Sequence, residues 1–261
     1  MTTHNEDIAT IELMGCPIHS LTMAQTVNRI DQAIAEKQPL HHVVVNVAKL
    51  VNMQKDPELK ASVIGSDIIN ADGQGVVWAA GLLGRALPER VAGIDLMSNL
   101  VALAHRKRYR IFFFGAREEV VRKVVDRYAD EYTPEIIAGY RNGYYSPEEE
   151  AAIANSIAAS KADILFVAIT SPKKEIFLNK YKDVIRTPFI MGVGGSFDVV
   201  SGVTKRAPRW MQRAGLEWFF RVLQEPGRMW KRYLVTNTLF LGYLVKEYFR
   251  KQRPAGPAVT A

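Results

Sequence analysis

The sequence has little of several features that define whole classes of protein. Its 261 residues include a single cysteine, Cys16, which excludes an internal disulfide framework and suits a reducing cytoplasm. The longest apolar stretch near the end, at 233–245, contains threonine and asparagine and is too short to cross a bilayer comfortably. The amino-terminal MTTHNEDIATIEL lacks the basic segment and the apolar core of a signal peptide. We therefore expect a cytoplasmic protein without a spanning helix.

Ligand-binding signatures are missing as well. No Gly-x-Gly-x-x-Gly follows the first predicted strand, so the sequence lacks a dinucleotide fingerprint. It has no Asp-x-Asp motif for a nucleotide-bound cation, and no His, Cys and Asp cluster with the spacing of metal ligands. His41 and His42 are adjacent in a predicted strand, where neighbouring side chains point to opposite faces and cannot readily share one ion. We expect neither a metal nor a cofactor.

Positive charge is concentrated in the last quarter of the chain. Residues 201–261 hold twelve lysines and arginines against three acids, a net charge of +9, whereas the rest of the chain carries −2. Three of the four tryptophans, Trp210, Trp218 and Trp230, stand among these bases. Basic residues mixed with aromatic ones are typical of segments that face a membrane or a nucleic acid. A solvated helical hairpin that closes the core is the simpler alternative.

Short apolar runs alternate with helical patterns over the first two hundred residues, in a chain that is 48% hydrophobic and 23% charged. Amphipathic stretches at 118–132 and 147–162 predict helices. Strands separated by helices favour an α/β fold with a mainly parallel sheet that is buried on both faces. The six predicted strands cover residues 41–48, 66–72, 110–116, 134–143, 163–170 and 188–195.

Glycine and polar residues follow most of these strands, at the positions where open α/β sheets bind ligands. Glycines let a backbone approach phosphate closely and helix N-termini attract anions, so a nucleotide diphosphate would suit this rim. Taken singly, Asp72 and Asp198 could each cap a helix, and Arg90 could be an ordinary surface arginine. The strand ends include Asn46, Asp72 between Gly73 and Gly75, Gly115, Lys174 and the segment 192–198.

Two long segments carry a more specific signal than any single glycine-rich loop. NADGQGVVWAAGLLGRALPERVAGIDL at 70–96 and GVGGSFDVVSGVTKRAPRWMQRAGLEWFFRVLQEPGRMWKRYL at 192–234 closely resemble the WecG/TagA/CpsF family of bacterial glycosyltransferases. The likeness runs from about residue 10 to about residue 250. It implies an inverting, metal-independent hexosyltransferase that builds exopolysaccharide, O-antigen or a related glycan. Such an enzyme moves a sugar from a UDP-sugar to a polyprenyl-diphosphate-linked sugar at the inner face of the membrane.

The resemblance also implies roles for individual residues. Asp72, in the family's Asp-Gly-x-Gly motif, would be the general base that takes the proton of the acceptor hydroxyl. Arg90 would stabilise negative charge on the departing diphosphate in place of a metal. The other substrate assignments are Asn46, Gly73, Gly75 and Lys174, together with Arg221, Arg228 and Arg232 near the acceptor diphosphate. Gly115, Gly194 and Asp198 are assigned to the nucleotide, and Lys205, Arg206 and Arg209 to anionic headgroups.

Two positions depart from the family pattern. Val44 stands where the family often has a threonine before Asn46, so a hydroxyl is missing. Lys174 stands where the family often has a glutamine, and an ammonium group offers no hydrogen-bond acceptor. We expect the contacts to the donor sugar or the acceptor to differ accordingly, and we assign none of the family's sugars to this chain.

The predicted architecture has three parts: a Rossmann-like α/β catalytic domain at 1–202, a basic, aromatic-rich helical appendage at 203–253, and a disordered tail at 254–261. The appendage would dock on an anionic membrane surface, and analogy with the family adds a homo-oligomer formed through the core.

Two other functions stay open. A nucleotide-dependent oxidoreductase should show the missing fingerprint, and a non-catalytic membrane- or nucleic-acid-binding protein would leave Asp72 unexplained. The transferase needs no nucleic-acid partner.

Overall fold

A six-stranded sheet lies at the centre of the computed structural model, which describes residues 8–252. The strands are β1 (Thr10–Leu13), β2 (Cys16–His19), β3 (Leu40–Val45), β4 (Ile68–Ala71), β5 (Ile111–Gly115), β6 (Ile137–Arg141), β7 (Ile164–Ala168) and β8 (Phe189–Gly192). β1 and β2 form a separate antiparallel hairpin, and the other six run parallel in the order β4-β3-β8-β7-β5-β6. All six predicted strands are present, and the predicted α/β fold is confirmed.

Helices connect the strands and cover both faces of the sheet. They are α1 (Met23–Ala35), α2 (Val47–Met53), α3 (Pro57–Ile64), α4 (Gln74–Leu82), α5 (Gly93–Lys107), α6 (Glu118–Glu131), α7 (Glu150–Ala159), α8 (Lys173–Ile185), α9 (Ser196–Val200), α10 (Arg209–Arg213), α11 (Glu217–Gln224) and α12 (Pro226–Gln252). Short 3₁₀ helices at Pro134–Ile136 and Pro147–Glu149 precede β6 and α7. Both amphipathic stretches predicted to be helical are therefore confirmed.

Apolar side chains fill both faces of the sheet. In β5, Phe113 packs into one cluster with residues of α1, α5 and α6, whereas Phe112 and Phe114 pack on the other face with residues of α7 and α8. Successive side chains of a strand point to opposite faces, so an unbroken apolar run requires cover on both. The predicted burial of both faces is confirmed.

The hairpin of β1 and β2 covers the edge of the sheet beside β4 and was not predicted from the sequence. Its turn residues, Met14 and Gly15, have φ values of +53° and +72°. The amide of Ile69 in β4 donates a hydrogen bond to Nδ1 of His19 at 2.9 Å. The hairpin thus provides a hydrogen-bond acceptor for a backbone amide that would be unpaired at an open edge of the sheet. Its strands are only four residues long, and Pro17 in β2 argues against a strand in a sequence pattern.

The last helix, α12, ties the carboxyl-terminal segment to the α/β core. Phe240 and Leu244 are only 5% and 8% exposed, and they belong to an apolar cluster with residues of β3, β4 and α2. Near the end of the helix, Glu247 accepts a hydrogen bond from the amide of Met14 at 2.9 Å and forms an ion pair with Arg85. Apolar and charged contacts therefore hold α12 against the α/β core.

The segment after residue 202 is helical, as expected, and contains α10, α11 and α12. The boundary at residue 202 stays a prediction, and the predicted tail at 254–261 lies outside the described residues. Between residues 8 and 252, we find no helix with both the length and the apolar character that crossing a membrane requires.

We expect Phe240→Ala to lower the free energy of unfolding by about 3 kcal/mol or more, because it removes a buried ring and leaves a cavity. Phe249→Ala is the matched control on the same helix, since the Phe249 ring is 61% exposed. A change of no more than about 0.5 kcal/mol is expected there. Chemical denaturation of both variants measures the difference, and equal losses would contradict the packing of α12 on the core.

Candidate active site

Three neighbouring strands bring predicted site residues to one edge of the sheet. Asn46 follows β3, Asp72 follows β4 and Gly194 follows β8, and these strands lie side by side in the order β4-β3-β8. Because parallel strands end at the same edge, the three positions share the rim where α/β folds bind ligands. Gly115 ends β5, which lies two strands beyond β8.

The backbone holds Asp72 at the junction between β4 and α4. Its amide donates a hydrogen bond to the carbonyl of Val45 at 2.7 Å, which extends the pairing of β4 with β3. The N-cap of α4 is Gly73, at φ +108°, and no side chain caps this helix. The alternative that Asp72 is a helix cap is therefore wrong, and capping does not account for its half-buried carboxylate.

The surroundings of Asp72 suit a carboxylate that accepts a proton. Burial raises the pKa of Asp72 above its ordinary value; Arg90 opposes the rise and Glu217 adds to it. Arg221 and Lys49 oppose the rise more weakly. A raised pKa makes the carboxylate a stronger base, while the neighbouring cations keep its ionised form present.

An ion pair joins Arg90 to the carboxyl-terminal helices. Arg90 lies in the loop between α4 and α5, and its Nη1 contacts Oε2 of Glu217 in the first turn of α11. The two side chains are 14% and 30% exposed, so Arg90 is not an ordinary surface arginine. Glu217 was not predicted as a site residue, because its only signal in the sequence is that of an acid in a basic segment.

The loop after β8 places a carboxylate and a guanidinium close together. A β-carbon at Gly195 would lie 3.7 Å from Oδ2 of Asp198 and 4.0 Å from Nη1 of Arg221. Gly195 is the N-cap of α9, so Asp198 does not cap this helix. A β-carbon at Gly194 would meet no described atom within 4 Å. The loop therefore combines polar groups with open space.

Two of the assigned glycines have packing roles. Gly115, at φ +130°, passes so close to β7 that a β-carbon would lie 2.4 Å from the carbonyl oxygen of Ala168. Gly75 lies in the first turn of α4, where a β-carbon would lie 3.2 Å from the Val47 side chain. These contacts account for glycine at both positions, and the ligand roles of Gly115 and Gly75 stay predictions.

A charge cluster contains the buried Lys174 and Glu175 and the half-buried Lys49. Lys174 is 5% exposed, and its Nζ lies 3.0 Å from Oε1 of the equally buried Glu175. Burial by itself raises the pKa of Glu175, but Lys174 and Lys49 outweigh it and lower that pKa. Burial, with Lys174, lowers the pKa of Lys49 to about 7. Lys174 is thus paired within the protein, and its contact with substrate stays a prediction.

Asn46 and two arginines of α12 complete the set of assigned residues. Asn46 is exposed and caps α2, since its Oδ1 accepts a hydrogen bond from the amide of Lys49 at 3.0 Å. A β-carbon at Gly73 would lie 4.0 Å from that of Asn46. Arg232 is exposed on α12, one turn after position 228, and the Arg228 side chain is outside the described structure. Among the described residues, no three His, Cys, Asp or Glu side chains group as metal ligands.

Comparison with known proteins identifies the family. The family model described as "Glycosyl transferase WecG/TagA/CpsF family" matches residues 11–254. A protein of Bacillus spizizenii is 40% identical over 180 residues, 69% of each chain, and one of Bacillus subtilis is 39% identical over 197 residues, 76% of each chain. Both are named N-acetylglucosaminyldiphosphoundecaprenol N-acetyl-beta-D-mannosaminyltransferase. With a match across nearly its whole length, the chain belongs to the WecG/TagA/CpsF family of glycosyl transferases.

Proposed function

We propose that this protein moves a sugar from a UDP-sugar to a polyprenyl-diphosphate-linked sugar, with inversion at the anomeric carbon and with Asp72 as the general base. The observation that carries the proposal is the setting of Asp72, a half-buried carboxylate at a strand end with a raised pKa and with Arg90 and Arg221 nearby. The relatives' name supports N-acetylglucosaminyl-diphosphoundecaprenol as the acceptor and N-acetylmannosamine as the first donor sugar to test.

Asp72 acts on the acceptor hydroxyl in this scheme. The hydroxyl oxygen attacks the anomeric carbon from the face opposite UDP, the bond to the UDP oxygen breaks, and the hydroxyl proton passes to the Asp72 carboxylate. Negative charge grows on the departing diphosphate, where Arg90 stabilises it. Arg221, which the resemblance places near the acceptor diphosphate, lies beside the loop at Gly195 and Asp198 and is a second cation for the departing group. These fixed cations supply the compensation that a divalent cation could supply, so we expect transfer to persist in excess EDTA.

The loop after β8 is the proposed site of the nucleotide. The open space beside Gly194 can admit a nucleoside, and the Asp198 carboxylate can accept hydrogen bonds from ribose hydroxyls or a base N–H. Asn46, exposed beside Gly73, then lies on the side where the donor and acceptor sugars meet. In this arrangement the reacting centre lies between the nucleotide loop and the carboxyl-terminal helices.

An exposed aromatic surface is the proposed membrane-docking surface. All four tryptophans contribute to it: Trp78, Trp210, Trp218 and Trp230 are 57%, 64%, 40% and 53% exposed. Trp78 belongs to α4 and lies against the turn between α10 and α11, where a β-carbon at Gly215 would be 2.9 Å from its ring. Large exposed apolar side chains beside basic residues are typical of membrane-binding surfaces. The docking surface therefore extends beyond the appendage to the core helix α4.

A screen of UDP-sugars tests the proposed reaction. The acceptor is N-acetylglucosamine linked through a diphosphate to a short polyprenol, and release of UDP is followed. We expect UDP release that requires both substrates, and a product whose new linkage has the anomeric configuration opposite to that of the donor. Failure of every donor to give acceptor-dependent UDP release would contradict the proposed function.

We expect Asp72→Asn to lower kcat by about 10²–10⁴-fold, the contribution typical of a general base. The amide keeps the shape of the side chain but cannot take the proton, so the affinity for UDP measured by calorimetric titration should not change. Asp126→Asn, at an exposed carboxylate on α6, is the control for the loss of one charge. Near-normal turnover of Asp72→Asn would show that Asp72 is not the general base.

The acidic limb of the kcat/KM profile should report the pKa of Asp72. The base must be ionised, so activity is full above this pKa and is lost as the pH falls through it, at a pH above the ordinary aspartate range. Glu217→Gln removes a charge that raises the pKa, so the limb should move to lower pH. Arg90→Gln removes a charge that lowers the pKa, so the limb should move to higher pH. Shifts in the same direction would contradict this electrostatic assignment.

We expect the full chain to float with anionic vesicles at low salt and to be released as salt rises, since exposed charges are screened over about 8–10 Å at ordinary ionic strength. Trp78→Ser should weaken attachment by about tenfold or more, because burying a large apolar side chain contributes about 1.5–3 kcal/mol. Tyr144→Ser removes a 67% exposed ring from the loop after β6 and serves as the control. A protein that stays in solution at low salt rules the docking surface out.

A further inference from the structure

A row of charged groups crosses the rim of the sheet at the ends of three neighbouring strands. Asp72 follows β4, and Lys49 lies in α2, directly after β3. The ammonium group of Lys174 lies over the end of β8, since a β-carbon at Gly192 would be 2.6 Å from its Nζ. The three strands lie side by side in the order β4-β3-β8. Lys49 is therefore placed between Asp72 and the ion pair that Lys174 forms in α8, and it interacts electrostatically with both.

Lys49 differs from Lys174 in having no ion pair of its own. The Lys174 ammonium group lies 3.0 Å from the Glu175 carboxylate, whereas no carboxylate of residues 8–252 lies within ion-pairing distance of the Lys49 ammonium group. Lys49 is half-buried, so its side chain stays open to a ligand at the rim. An ammonium group carries three hydrogen-bond donors, and burial makes each donor without an acceptor costly. Lys49 is thus the cation of this row that can bind a substrate.

We propose that Lys49 binds the sugar of the UDP-sugar donor, an inference that rests on the proposed function. The proposed nucleotide loop follows β8 and the proposed base follows β4, so the sugar that links the nucleotide to the reacting centre lies over β3. Lys49 stands at this position. Its ammonium group donates hydrogen bonds to oxygen substituents of the sugar ring, such as hydroxyl or acetamido oxygens.

The order of the strands favours the donor sugar over the acceptor sugar as the partner of Lys49. In an inverting transfer, the acceptor hydroxyl approaches the anomeric carbon from the face opposite UDP, and Asp72 takes its proton. The acceptor therefore lies on the side of the anomeric carbon away from the nucleotide loop. Lys49 lies between Asp72 and that loop, because β3 separates β4 from β8.

The ionisation of Lys49 gives this contact a pH dependence. Burial, with Lys174, lowers the pKa of Lys49 to about 7. The charged ammonium group forms the stronger hydrogen bond, so binding of the sugar is full below this pKa and weakens as the pH rises through it. Burial lowers the pKa of the two histidines near Lys49 to about 4 and raises that of the cysteine to about 12, so these three groups stay neutral near pH 7. The titratable groups that face Lys49 from β2, β3, α8 and the end of β4 are Cys16, His41, His42, Lys174, Glu175 and Asp72.

The test is Lys49→Met, which keeps the length of the side chain and removes its charge. At a pH below the pKa of Lys49, we expect the dissociation constant for UDP-N-acetylmannosamine to rise by about tenfold, because hydrogen bonds from charged groups are among the stronger ones. The dissociation constant for UDP should not change, and calorimetric titration measures both. Lys55→Met removes an exposed charge just after α2 and is the matched control, with both constants unchanged. Thermal unfolding checks the fold of each variant.

A pH series separates a contact with the charged group from a structural effect. The affinity of the wild-type chain for UDP-N-acetylmannosamine should fall towards that of Lys49→Met as the pH rises through about 7, and the variant should show no such fall. Lys49→Arg keeps its charge throughout this range. It should bind the UDP-sugar more tightly than Lys49→Met and keep that affinity above pH 7.

Four outcomes would overturn the assignment. Equal affinities of the wild type and Lys49→Met for the UDP-sugar would show that Lys49 does not bind it. Equal losses of affinity for UDP and for the UDP-sugar would assign Lys49 to the diphosphate. A rise in KM for the acceptor alone would assign it to the acceptor sugar. A wild-type chain that binds neither UDP nor the UDP-sugar would overturn the proposed function and this contact with it, so the two failures are distinguishable.

Discussion

The ion pair between Arg90 and Glu217 joins the α/β core to the carboxyl-terminal helices at the point where the proposed chemistry takes place. Both residues act on the pKa of Asp72, in opposite directions. Removing one partner of a largely buried pair leaves the other charge without compensation, which is costly. The electrostatic setting of the proposed base therefore depends on α11 being in place, so the carboxyl-terminal segment is part of the Asp72 site as well as the proposed docking surface.

Apolar packing makes this arrangement of charges possible. The sheet is buried on both faces, so its strand ends hold Asn46, Asp72 and Gly194 on a rigid rim. Phe240 and Leu244 pack α12 against the apolar cluster that includes residues of β3 and β4. Arg90 and Arg221 both lower the pKa of Asp72, and Arg221 also lies beside the loop at Gly195 and Asp198.

Membership of the WecG/TagA/CpsF family favours the transferase over the oxidoreductase that the α/β pattern alone left open. It does not decide the sugar, and the resemblance predicts departures from the family pattern at Val44 and Lys174. The structure gives the second departure a physical context, because Lys174 forms a buried ion pair with Glu175 close to Lys49. The difference in contacts to the donor sugar or the acceptor that we expect at Lys174 would therefore arise beside a charge cluster near the strand ends.

The sequence by itself determined the sheet, its helices and the residues at the strand ends. Strands that are buried on both faces appear in the sequence as unbroken apolar runs, and the residues after parallel strands lie at one edge of the sheet. It did not reveal the hairpin of β1 and β2, whose short strands and Pro17 carry little pattern. Only the tertiary structure decided that Glu217 pairs with Arg90, that Lys174 is buried, and that Arg206, Arg209 and Arg213 line a pocket with Arg90. Arg90 and Glu217 are 127 positions apart in the chain, and local periodicity holds no information about which distant charges will meet.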